Sequence, residues 1–333
     1  MQPGLYVLAP VGLGHTDGEL AASVPLVESV ELVSFHSSWK DEVRRFLEDF
    51  RKKYSAFSET DTQEFEKTRH CLVLRFADPD GGKPIDREVY DQRELDIGGR
   101  ARRTYGLTRR WLRSFAVLLI AGRINFGCFR YWFGLKVAEP PEKPWCYHAS
   151  PVGWYGRVVT SEKREAIGDE YWTRVRTAAH NLAICPDESR LAVATDMFAR
   201  AVFADDWRVE MLCYWVALEA LFGQAETELS HQLCERAAAF CEPPGQGRHT
   251  LYRKLKSAYG LRSKLVHGTL HHPTEEGQGG LSAAIDFVEG TVRNALCHIL
   301  TDGDMTRRFL QEQKHLVEYF EKQVLAPECV SRT

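Results

Sequence analysis

Residues 251–267 read LYRKLKSAYGLRSKLVH and are followed by Gly268. Leu251, Leu255, Ala258, Tyr259 and Val266 recur at the three- and four-residue spacing of one helical face, so the segment is expected to be a helix with an apolar side turned to a core. Gly268, free to take a left-handed conformation, ends it. His267 then becomes the last helical residue, close to solvent, where an imidazole is held and still exchanges protons. Between Gly245 and Thr274 there is no Asp or Glu, while Arg248, Arg253, Lys254, Lys256, Arg262 and Lys264 carry six positive charges. Such a field suits a polyanion, and charge alone describes a solvated basic helix face equally well.

Helical periods extend from this segment in both directions. Residues 161–180 form an amphipathic pattern, and Pro186-Asp187-Glu188 reads as the start of a helix continued by Leu191, Ala194, Phe198 and Ala201. Asp205 or Asp206 caps the next helix, whose middle, MLCYWVAL (211–218), is apolar on all sides and therefore central. Residues 228–240 follow and stop at Pro243-Pro244-Gly245. After a loop at 271–280, residues 281–324 read as helical with a break at Asp302-Gly303. An all-α bundle over residues 155–326 accounts for this half.

The N-terminal half reads differently. Short apolar runs at 5–9 and 30–35, punctuated by Pro and Gly, suggest strands. The glycines of GLGHTDG (12–18) fit no phosphate-binding loop. Ser37 or Ser38 caps a helix to about Tyr54 with Val43, Phe46, Leu47 and Phe50 as its stripe, and HCLVLRF (70–76) reads as a buried strand. Prolines 140, 141, 144 and 151 suggest a linker over 138–153. The expected architecture is thus α+β: a mixed α/β sensor or binding domain at 1–150 followed by the helical bundle.

The segment RSKLVHG, preceded by YWVALEALFG (214–223) and ELSHQLCERAAAF (228–240), resembles the Apea-like branch of the HEPN superfamily. The resemblance covers roughly residues 186–325. It implies a helical domain whose Arg-x4-His motif carries metal-independent endoribonuclease activity, with Arg262 and His267 as catalytic residues. It further implies a homodimer in which the motifs of two subunits face one RNA substrate. A role in prokaryotic antiviral defence or toxin-type growth arrest, with an operon-encoded regulator or effector as partner, follows by the same analogy.

The residue types suit that chemistry. RNA carries its own nucleophile, the 2′-OH, so a protein need only move protons and stabilise a dianionic phosphorane. Histidine serves as general base or acid, and arginine offers permanently charged, forked donors to the non-bridging oxygens. Five residues at 100° each place His267 about 140° around the helix from Arg262, so one helix assembles the pair poorly, and the answer that the HEPN resemblance implies is the dimer. Ser263 stands where nuclease-active relatives often carry Asn, Asp or His, and its hydroxyl is a supporting candidate. Glu219, inside the apolar helix, needs a cation, with Arg236 and Arg262 as candidates, and reads as an orienting group. Lys264, Lys256, Arg253 and Lys254 are the expected RNA-binding residues. His267 and His271 have a metal-ligand spacing, but Gly268 and Pro273 break the helix between them, so neither metal nor cofactor is expected. His231 and Cys234 read as ordinary bundle residues. The rival functions are a non-catalytic HEPN dimer that binds RNA, a nucleotide or a protein, and a purely structural bundle.

Composition adds limits. The 333 residues are 44% hydrophobic and 27% charged, with net charge −3, so no whole-molecule basic field exists. Nine cysteines without a C-x-x-C pair read as reduced thiols. No signal-peptide pattern or long apolar run appears, so a cytoplasmic protein is expected. Arginines 100, 102, 103, 109, 110 and 113 form a second basic cluster, followed by aromatics at 111, 115, 126, 129 and 131–133. These are either a phosphate clamp with stacking rings or a solvated face over a core.

Overall fold

A computed structural model describes residues 4–13, 20, 23–27, 30–35, 37–53, 63, 65–76, 107–122, 124, 126–128, 131–137, 145–151, 167–223, 229–269 and 275–325. The fold is α+β, and the chain divides into two compact units. One comprises Met1–Phe115 and Gly122–Arg176, the other Ala116–Ala121 and Thr177–Thr333.

The first unit is built on an antiparallel sheet. Five longer strands, β1 (Gly4–Leu13), β3 (Val30–Ser34), β4 (His70–Phe76), β6 (Tyr131–Val137) and β7 (Trp145–Pro151), are joined by the short β2 (Val24–Pro25) and β5 (Phe126–Cys128). The order is β2-β3-β4-β1-β6-β7, with β5 also paired to β1. Alternation sets the packing, since successive side chains leave opposite faces. Tyr6, Leu8, Cys71, Val73, Phe133 and Leu135 share a core with Trp39, Val43 and Leu47 of α1 (Ser37–Lys53). The intervening Ala9, Val11, Leu72 and Leu74 are buried too. Both faces of β1 and β4 are therefore covered, which explains why HCLVLRF is a continuous apolar run and does not alternate.

Two sequence expectations change here. The proline-rich stretch expected as a linker contains β7, hydrogen-bonded to β6 from Tyr131↔Pro151 to Lys136↔Trp145. Pro151 ends β7, an edge strand, where a missing N–H is tolerated. The arginine cluster also differs, because α2 (Leu107–Ala121) is buried throughout from Trp111 onward. Arg113 is only 3% exposed, and Trp111 and Phe115 are enclosed, so none of the three faces solvent or offers a ring to a base. Arg100, Arg102 and Arg103 lie outside the described residues.

From Asp169 onward the described chain is helical, the second unit taking it up at Thr177. In order come α3 (Asp169–Ala183), α4 (Arg190–Val202), α5 (Trp207–Phe222), α6 (Leu229–Cys241), α7 (Gln246–Val266), α8 (Glu275–Leu300), α9 (Gly303–Phe309) and α10 (Gln313–Leu325). Side-chain caps fix the starts of α4, α5 and α9. Ser189 accepts the Ala192 N–H at 3.2 Å, so α4 begins after Pro186-Asp187-Glu188, which forms a turn ahead of it. Asp206 caps α5 and Asp302 caps α9, satisfying N–H groups that the first turn leaves without partners. Helix α8 starts earlier than the sequence suggests, passing through Gly277, Gly279 and Gly280. Each residue added to a formed helix gains a hydrogen bond, and that propagation overrides weak propensity.

Helix α5 is the centre, packed against α4, α6, α7 and α8. Met211, Tyr214, Trp215, Leu218, Leu221 and Phe222 are all buried along it. At its C-terminal end Phe222, Phe240, Phe309 and Phe320 form a mutual cluster with ring centroids 5.5–6.4 Å apart. Among the described residues no helix is long and apolar enough to cross a membrane. Removing one ring of the aromatic cluster leaves a cavity that rigid neighbours fill only partly. Phe309→Ala is expected to lower stability by about 3–5 kcal/mol in urea unfolding followed by circular dichroism.

Candidate functional site

Helix α7 starts at Gly245, whose φ of 139° turns the chain after Pro243-Pro244. Its buried contacts are Leu255 and Ala258, with Leu251 and Tyr259 half-buried beside them. The expected apolar face stops there, and Val266 is 54% exposed. The last turn has left the core, so spacing alone assigned Val266 wrongly.

The helix end is a Schellman motif. The Thr269 N–H donates to the Lys264 carbonyl at 2.9 Å and the Gly268 N–H to the Leu265 carbonyl at 3.1 Å, with Gly268 at φ 66°. His267 is the C-cap and its N–H donates to the Ser263 carbonyl at 3.0 Å. The imidazole is therefore carried by an anchored backbone while its ring stands exposed. Ser263 is half-buried in the same turn.

Arg262 is turned the other way, towards α5. Its Nη2 lies 3.0 Å from Glu219 Oε1, the two side chains being 22% and 23% exposed. The guanidinium sits 5.3 Å from the Tyr259 ring centroid, and Nη1 donates to the Tyr259 hydroxyl oxygen at 3.5 Å. Tyr259 in turn meets buried Trp215 edge to face at 5.1 Å. Contacts of these kinds contribute on the order of 1 kcal/mol each, enough together to hold one rotamer. Of the two cations proposed for Glu219, Arg262 is the partner. Arg236 instead reaches the Phe222 carbonyl at 3.4 Å and the Phe320 ring at 5.8 Å.

The ion pair is close but incomplete. Glu219 Oε1 and Arg262 Nε are buried without a hydrogen bond of good geometry, so the charges meet without aligned donor and acceptor. Burial pushes the Glu219 carboxyl above its ordinary value, and the Arg262 charge opposes that shift. Both groups thus keep hydrogen-bonding capacity that the bundle does not use.

The basic residues are less uniform than their sequence. Arg248 gives its guanidinium to backbone carbonyls, Nε to Glu242 and Nη1 to Gln323 at 3.0 Å each, Nη2 to Ala239 at 3.5 Å, and so serves as a clamp between the ends of α6 and α10. Lys256 donates to the Ser230 hydroxyl oxygen at 3.2 Å, and Lys254 lies 5.8 Å from the Phe287 ring centroid. Arg253 and Lys264 are exposed. The positions of Arg253, Lys256, Lys264 and His267 follow one outward face, whereas Arg262 does not belong to it.

Among the described residues no three His, Cys, Asp or Glu side chains are grouped to hold a metal ion. His271 and His272 lie outside those residues. Sequence reading missed the part of Tyr259 and Trp215 in fixing Arg262. The signal was present, since Tyr259 lies one turn before Arg262, but its role depends on which helix lies opposite.

Because the Glu219 carboxyl is raised, the folded state takes up its proton at a higher pH than the unfolded chain does. Its charged form costs stability at neutral pH, and that cost is relieved as pH falls through the folded-state value towards the ordinary one. Arg262→Ala removes the opposing charge, so the Glu219 carboxyl is expected to titrate at still higher pH, read by carbon-detected NMR of the side chain. No family model, curated protein or solved structure matches the chain.

Proposed function

We propose that the chain is an Apea-like HEPN protein and a metal-independent endoribonuclease acting at a composite site in a homodimer. The observation that carries this reading is the arrangement at the end of α7, where an exposed histidine is fixed by a helix cap and an arginine is fixed by Glu219 and Tyr259. In this reading one His267 takes the proton from the 2′-OH and the other protonates the 5′-oxygen that leaves. Arg262 stabilises the phosphorane, and the products are a 2′,3′-cyclic phosphate and a 5′-hydroxyl. Transferring Arg262 from Glu219 to phosphate would exchange an unaligned ion pair for a forked, charge-assisted one.

The same geometry supports a dimer. His267 and Arg262 leave α7 in directions about 140° apart, so two copies supply what one helix separates. Val209, Val216 and Val266 are exposed by 50%, 38% and 54%, apolar area that a second subunit could cover. Ser263 is the departure from the family pattern, and its hydroxyl can still orient a phosphate oxygen. By analogy the biological setting is prokaryotic antiviral defence or toxin-type growth arrest, with an operon-encoded regulator or effector as a partner. The alternative is a non-catalytic HEPN dimer that binds RNA, a nucleotide or a protein; it is favoured by the engagement of Arg262 with Glu219.

The test is incubation of the protein with mixed RNA in EDTA, with analysis of product ends. Wild type is expected to yield cyclic-phosphate ends, and His267→Ala and Arg262→Ala each to lose at least about 100-fold in rate while keeping the same oligomeric state by light scattering. Intact RNA with the wild type under these conditions would favour the non-catalytic alternative.

A further inference from the structure

At the opposite end of α7 from His267, a cavity of about 340 Å³ opens between α6, the first turns of α7 and the end of α10. Ala238, Ala239 and Val324 give it apolar lining, and His231, Glu235, His249 and Tyr252 supply rings and polar groups. The His231 and Tyr252 rings meet at 5.6 Å with a 58° tilt, forming an aromatic wall. Glu235 stands beside it, its Oε2 3.8 Å from His231 Nδ1, beyond hydrogen-bond distance and so able to accept from a ligand. Arg248, also at the lining, has its donors directed to carbonyls, so it adds positive potential more than a ligating fork. None of these groups takes part in the chemistry assigned to Arg262 and His267.

The cavity and the histidine lie on one track. Arg253, Lys256 and Lys264 recur at helical spacing on the side of α7 that also bears His249 and His267, placing three cations between the cavity and the end of the helix, Arg253 and Lys264 exposed and Lys256 half-buried against Ser230. At 1.5 Å per residue, Tyr252 is about 22 Å along the axis from His267. A pocket with an aromatic wall, an apolar floor and one carboxylate, continued by a row of cations, has the parts by which proteins hold single strands: rings stack on a base and cations follow the phosphates. A duplex keeps its bases stacked inside and presents none to such a pocket.

We infer that this cavity is a subsite for one unpaired base of a single-stranded RNA running along α7 to His267, selecting a base with an exocyclic amine. Glu235 accepts from that amine, as carboxylates do from cytosine N4, and uracil offers no such donor. The inference rests on the ribonuclease reading and gives it a substrate class and a base preference.

The test uses the full chain carrying His267→Ala, so that RNA stays intact, with labelled oligo(C) and oligo(U) in EDTA. Oligo(C) is expected to bind more tightly than oligo(U). Adding Tyr252→Ala should weaken oligo(C) binding about 5- to 100-fold, Tyr252→Phe should restore it, and Glu235→Ala should abolish the preference for C over U. The unsubstituted protein gives an independent reading by NMR, in which cytidine monophosphate should move the imidazole signals of His231 and His249. RNA bound or cleaved equally well with and without Tyr252→Ala, or imidazole signals that do not move, would overturn the base subsite while leaving the ribonuclease reading intact. Absence of any RNA binding or cleavage would overturn both.

Discussion

Burial of one broad face of α5 is the constraint on which the helical unit depends. Met211, Tyr214, Trp215, Leu218, Leu221 and Phe222 must be covered, so α4, α6, α7 and α8 pack around that face, while Val209 and Val216 stay exposed on the other. A half-buried polar group beside that face must then be answered from a neighbouring helix. Glu219 is that group, and the answering cation is Arg262. The position of α7 relative to α5 is therefore also the position of the arginine that the proposed chemistry uses.

The arrangement sets two demands against each other. Desolvation disfavours the Glu219 charge, and Arg262 restores part of what burial removes. The arginine is held by the carboxylate and by the Tyr259 ring, but its Nε is left without a hydrogen bond. Such a pair is poorly optimised for stability alone, because buried ion pairs repay their desolvation only when every donor is aligned. Arg253 and Lys264 on the outward face of α7 are exposed, which separates a fixed guanidinium from solvated charge. A chain with net charge −3 can thus still offer a locally positive strip.

Much of the fold was legible because its signals are local. The cap at Asp206, the break at Asp302-Gly303, the glycine at the end of α7, the HCLVLRF strand and the α1 stripe all follow from residues within a few positions of one another. Errors came where a local signal was outweighed by distant contacts. Prolines near 145–151 read as a linker, yet backbone pairing with β6 makes this stretch a strand. A run of arginines read as a surface, yet Arg113 is enclosed because the helix bearing it is buried all round.

The candidate site divides in the same way. The sequence by itself determined that Arg262 and His267 share one helix, that they diverge around it, that Gly268 ends it, and that Glu219 requires a cation. These are consequences of 3.6-residue periodicity, of the left-handed freedom of glycine and of the cost of a carboxylate in an apolar helix. Only the tertiary structure decided that Arg262 rather than Arg236 meets Glu219, that Tyr259 and Trp215 hold it, that Arg248 clamps carbonyls, and that His231 and Tyr252 line one cavity. Each of those depends on which helices lie side by side, and side-chain contacts between elements distant in sequence are set by packing in three dimensions, which no periodicity along one helix encodes.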